Sequence, residues 1–78
     1  MNAELTRSVS DAVSMVNEHA GAACVRLWFA DDPAEIDFVA SSASLAGDQF
    51  QFRSGFETYA GVVGDLRQIK VEVIGRPN

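Results

Sequence analysis

The sequence predicts an α+β domain in the order α-β-β-β-α-β: a four-stranded, mainly antiparallel sheet with two helices packed on one face. Apolar residues recur at steps of three and four between Leu5 and Ala20, the period of an amphipathic helix. Between Ala23 and Phe52 they recur mostly at steps of two, the period of strands with one buried face. The stretch Ser54–Gly75 then reads as a capped helix that runs directly into another alternating strand. With 78 residues, positions 1–78 are read as one compact domain. A chain this short buries only about 60% of its unfolded surface, so very regular packing or a partner has to supply stability.

The first helix is predicted from near Asn2–Glu4 to Gly21. Leu5, Val9, Ala12, Val13, Val16 and Ala20 form its apolar stripe, with Arg7, Ser10, Asp11, Ser14 and Glu18 opposite. Gly21 stands where a left-handed C-terminal cap is expected. His19 lies at the edge of the stripe near the helix end, where an imidazolium interacts well with the helix dipole. Ala23–Ala30 alternates as a strand, with Val25, Leu27 and Phe29 on the core face and Arg26 and Trp28 on the other. Asp31-Asp32-Pro33-Ala34-Glu35 breaks it, and Ile36, Phe38 and Ala40 continue inward as a second strand. So short a connection makes these two strands an antiparallel hairpin.

Ser41–Ala46 is weakly patterned, and Gly47-Asp48 signals a turn. Phe50 and Phe52 point inward from a third strand, with Gln49, Gln51 and Arg53 outward. Ser54 and Glu57 have the spacing of a capping box. The helix it opens would bury Phe56, Tyr59, Ala60, Val63 and Leu66. Gly61 and Gly64 would weaken that helix by about 1 kcal/mol each relative to alanine. The last strand turns Ile69, Val71 and Val73 inward and Lys70, Glu72 and Ile74 outward, and GRPN is a tail. A helical crossover would return this strand parallel to the third.

Composition narrows the function classes. Six basic residues stand against eleven acids, for a net charge of −5. Affinity for nucleic acid comes mostly from Lys and Arg on phosphates, so direct binding of DNA or RNA is not expected. The N-terminus lacks the apolar core of a signal peptide, and no stretch has the length of a membrane span. A cytoplasmic location is expected. Cys24 is alone, which rules out an internal disulfide and suggests a small buried hydrophobe.

No catalytic residues are assigned. Gly61-Val62-Val63-Gly64 falls inside the predicted second helix and makes no phosphate loop, and one histidine and one cysteine form no nucleophile–base pair. The chain is therefore read as a non-enzyme without a cofactor. Asp31, Asp32, Glu35 and Asp37 crowd one turn, but they lack the central glycine and spaced ligands of a calcium loop. No metal site is assigned.

Two features remain as candidate protein-interaction residues. The acids Asp31, Asp32, Glu35 and Asp37 form a knob suited to Lys or Arg residues of a partner. Trp28, with Arg26 beside it, projects from the outer sheet face near Val39 and Ile74, and both residue types are enriched among those that dominate interfaces; a second copy, another protein, or the chain's own tail and loops are the three candidates to cover it.

The α-β-β-β-α order is similar to that of double-stranded RNA-binding domains. Those domains place basic residues at the start of the last helix, where this chain has Ser54-Gly55-Phe56-Glu57. In size, acidity and lack of a catalytic site the chain resembles phage-encoded inhibitors such as anti-CRISPR proteins, a group that shares no motif. The resemblance implies a small acidic inhibitor or adaptor that blocks a basic, nucleic-acid-binding surface of a host protein. The alternative class is a structural or assembly subunit that forms a homo-oligomer through the open sheet face.

Overall fold

The three-and-four repeat of the N-terminal stretch folds as predicted into α1 (Ala3–Glu18), with Val9, Ala12 and Val16 buried. The computed structural model describes residues 3–74, so the expected tail at 75–78 and an N-terminal start at Asn2 lie outside it. Gly21 follows the helix at φ 80°, in the left-handed region expected of a cap. Ala20, the last residue of the predicted stripe, is exposed.

Beyond α1 the chain forms β1 (Ala23–Phe29), β2 (Glu35–Ala40), β3 (Ser42–Ala46), β4 (Gln49–Ser54) and β5 (Glu57–Val62). A 3-10 turn, Val63–Asp65, leads into β6 (Leu66–Val73). These strands make two three-stranded sheets, ordered β2-β1-β6 and β3-β4-β5, and every pairing is antiparallel. The predicted four-stranded sheet under two helices is therefore not formed. Among the described residues α1 is the sole α-helix.

The largest difference lies after Ser54, which pairs with Glu57 across a two-residue hairpin and does not cap a helix. Gly55 has φ 60° and Phe56 does not share the positive φ, the pattern of a mirror-image turn with glycine first. Gly47-Asp48 turns β3 into β4 in the same way, with Gly47 at φ 64°. Phe56 sits at the tip of its hairpin and is fully exposed, the reverse of its predicted burial. The step-of-two pattern wins here because Tyr59 and Gly61 lie opposite Phe52 and Phe50 on the inner face. Gly61 is thus a strand glycine, placed where the Phe50 ring packs against the backbone.

Two further expectations fail for related reasons. Ser41–Ala46 looked weak because β3 is an edge strand of small residues, half-buried at Ser42, Ala43 and Leu45. With no helical crossover in place, β6 returns antiparallel to β1 and not parallel to the third predicted strand.

One face of each sheet meets the other around α1, which leans on β6 and β3. Val25 and Leu27 of β1, Phe38 and Ala40 of β2, and Phe50 and Phe52 of β4 are buried there, as are Val63 and Leu66. Burial of each large side chain contributes about 1.5–3 kcal/mol. Phe38 stacks on Tyr59 with centroids 4.1 Å apart and tilts against Phe52 at 5.9 Å, joining the sheets through aromatic contact. Asn17 of α1 closes the outer edge of β3. Its Nδ2 donates to the Ala43 carbonyl at 2.9 Å, and the Ala43 N–H donates to its Oδ1 at 3.0 Å.

An alanine Cβ at position 61 would lie 3.0 Å from Cζ of Phe50, a buried ring with little room to retreat, whereas one at position 64 meets nothing within 4 Å. Gly61→Ala should cost about 1–3 kcal/mol in chemical denaturation, as overpacking does. Gly64→Ala should stay within about 0.5 kcal/mol of wild type. Equal denaturation midpoints for the two variants would contradict the packing of Phe50 on Gly61.

Candidate protein-interaction face

The face of the β2-β1-β6 sheet turned away from the core carries three cross-strand rows. They are Val39–Cys24–Glu72, Asp37–Arg26–Lys70 and Glu35–Trp28–Gln68, as the pairing registers place them. Alternation alone puts these side chains together, because Val25 and Leu27 between them are drawn into the core. The central strand therefore supplies Arg26 and Trp28 to the middle of the face, both half-buried.

Arg26 is held from the neighbouring strand. Its Nε donates to Asp37 Oδ1 at 2.8 Å and lies 3.5 Å from Glu35 Oε2. The hydrogen bond to Asp37, then the charges of Asp37 and Glu35, raise the guanidinium pKa above its ordinary value. The guanidinium carbon also lies 6.0 Å from the Trp28 ring centroid, at the outer limit of a cation–π contact. An exposed ion pair of this kind adds little to stability. It places the guanidinium between the two carboxylates, on the Trp28 side of the face.

Four of the six predicted residues, Arg26, Trp28, Glu35 and Asp37, thus share one surface. Asp31 and Asp32 lie just past it, in the turn between β1 and β2 at the Trp28 end. Asp32 Oδ1 accepts the Ala34 N–H at 3.0 Å, which makes that carboxylate part of the turn itself. Val39 is exposed at the far end of the face. Ile74, also exposed, continues beyond Glu72 with its N–H on the Ala22 carbonyl at 2.7 Å. Cys24 lies half-buried on this outer face and not in the core, contrary to expectation.

Sequence reasoning missed two residues. Asn17 went unnoticed because its role needs the edge of β3 opposite it. Phe56 was misplaced, although a Gly-X pair between two alternating runs is itself a hairpin signal.

Among the described residues no group of three His, Cys, Asp or Glu is placed to hold a metal ion, and no helix is long and apolar enough to cross a membrane. No protein-family model, no curated protein and no solved structure matches this chain.

One titration reports on the second sheet. The Tyr59 hydroxyl donates to Glu57 Oε1, and this hydrogen bond, with burial and the carboxylate charge, raises the phenol pKa above its ordinary 10.0. The folded state favours the protonated phenol. Its contribution is thus present below the ordinary value and is lost as pH climbs through the raised one. Tyr59 is the single tyrosine, so near-ultraviolet tyrosinate absorbance should rise above the usual pH. Glu57→Gln should bring the midpoint back down. A wild-type midpoint at the ordinary value would mean that the hydrogen bond is not formed in solution.

Proposed function

We propose that this chain is a small acidic protein-binding module, an inhibitor or adaptor that docks the outer face of the β2-β1-β6 sheet on a basic surface of a partner protein. A nucleic-acid-binding surface of a host protein is the target that the resemblance to phage-encoded inhibitors implies. One observation carries the reading: Trp28 and the ion-paired Arg26 stand at the centre of a sheet face that no other described element covers. Around them Asp31, Asp32, Glu35, Asp37 and Glu72 outnumber Arg26 and Lys70, so the face and its turn are net negative. A half-buried tryptophan beside an arginine, the pair of residue types that most often dominates interface energetics, favours affinity.

Affinity capture from the native host, with mass spectrometry, should identify a partner whose contact surface is rich in Lys and Arg. Binding measured by calorimetry should weaken as salt rises. Trp28→Ala should weaken it by at least about tenfold, the loss expected at a hot spot, with the circular dichroism spectrum unchanged. Partner binding should also slow thiol labelling of Cys24, which lies on the same face. If neutralising Asp31, Asp32, Glu35 and Asp37 together leaves the affinity intact, the acidic face is not what docks.

A further inference from the structure

At eight residues, β6 is the longest strand, and it lies at the end of its sheet, paired only with β1. The edge of β3 is closed by Asn17, but among the described residues β6 has no counterpart. Which of its backbone groups face outward follows from the ladder. Ile74 N–H donates to Ala22, so the residues that exchange hydrogen bonds with β1 are those of the same parity, Gln68, Lys70 and Glu72. The N–H and C=O groups of Ile69, Val71 and Val73 therefore point away from the sheet. Beside them runs a shallow groove between α1 and β6, in which Ala12, Met15, Ile69 and Val71 stand with the polar Ser8, Asp11 and Lys70. Met15 is exposed in it, and Val73 is exposed further along β6.

We propose that a second copy of this chain pairs antiparallel with β6 about a two-fold axis through Val71. The register is set by side chains. An axis at Lys70 would place Lys70 against its own copy, and one at Glu72 would do the same to Glu72; both oppose like charges. The axis at Val71 puts Lys70 opposite Glu72 of the other copy, twice, and Ile69 opposite Val73, twice. It also brings the outward N–H and C=O groups of Ile69, Val71 and Val73 into hydrogen-bonded pairs. The backbone hydrogen bonds form in any register of this parity, and of these the axis at Val71 is the one that sets both Lys70–Glu72 pairs and both Ile69–Val73 pairs across the seam. The product is a continuous six-stranded sheet with both α1 helices on one side. On the other side stand both Trp28 faces, covered by no other described element. The seam uses β6 and not Trp28, so this inference stands or falls independently of the partner reading above.

Sedimentation equilibrium over a wide range of concentration tests it. Wild type should show a monomer–dimer equilibrium. Lys70→Glu and Glu72→Lys should each weaken the dimer by about tenfold or more, because each sets two like-charge pairs across the seam. Mixing these two variants should restore association as a heterodimer, and the double variant K70E/E72K should dimerise on its own. In the monomer Lys70→Glu places a carboxylate beside Arg26, so folding is expected to survive and circular dichroism checks it. A wild-type monomer at every concentration would overturn the proposal. So would a dimer indifferent to either charge change, a mixture that fails to associate, or a dimer broken by Trp28→Ala, which would move the seam to the open face.

Discussion

The two sheets depend on a join one residue long. β2 ends at Ala40 and β3 begins at Ser42, so Ser41 alone carries the chain from the first sheet to the second. Its N–H donates to the Arg53 carbonyl at 2.7 Å, and its hydroxyl reaches the same oxygen at 3.2 Å. That corner pins the end of β2 to the end of β4 and sets Phe38 against Tyr59 and Phe52. Three-stranded sheets need a covered apolar face to be stable, and here each covers part of the other. α1 covers what remains by bridging β6 and β3, with Asn17 fastening it to β3. If the corner opened, Phe38 would lose its aromatic partners and α1 would have only one sheet to lie on.

The same corner sorts the surfaces. Each sheet has one face committed to the core, so function is left to the other two. On β3-β4-β5 that outer face is small and almost uncharged, with Ser44, Gln51, Thr58 and Ala60 in its central rows and Arg53 as its only charge. On β2-β1-β6 it holds Trp28, Arg26 and several carboxylates. Aromatic area and charge are concentrated on one sheet, and that asymmetry decides where a partner is sought.

Strong periodicity made part of this fold legible. The stripe from Leu5 to Val16 and the alternation through Val25, Leu27, Phe38, Phe50 and Phe52 were read with the right faces. The β1–β2 hairpin followed from its short turn. The residues between Phe56 and Leu66 misled because they satisfy two periods at once: Phe56, Tyr59, Ala60 and Val63 fit a helical face, while Tyr59 and Gly61 fit a strand. Local pattern cannot choose between these. The choice comes from Phe50 and Phe52, which need a third strand beside them, and from Gly55, which supplies the positive φ of a tight turn. That Arg26, Trp28, Glu35 and Asp37 share one face was easier to read than the fold around them, since it depends only on alternation in one hairpin.

Arg26 gives that site a division of labour. Glu35 and Asp37 lie two positions apart on the same strand face, and a cation between them offsets their mutual repulsion. Their field is therefore partly cancelled close to the sheet. Asp31 and Asp32, in the turn beyond, have no such cation against them among the described ion pairs, so their negative charge is not offset in this way. Exposed charges of this kind act mainly on encounter rates, whereas buried aromatic contacts govern how long a complex lasts. In the proposed docking, the turn acids steer the approach to a basic surface and Trp28 holds the complex once formed. Arg26 serves this arrangement by offsetting the repulsion between the carboxylates beside the indole. An arginine at the centre of an acidic face then follows from the electrostatics of the site.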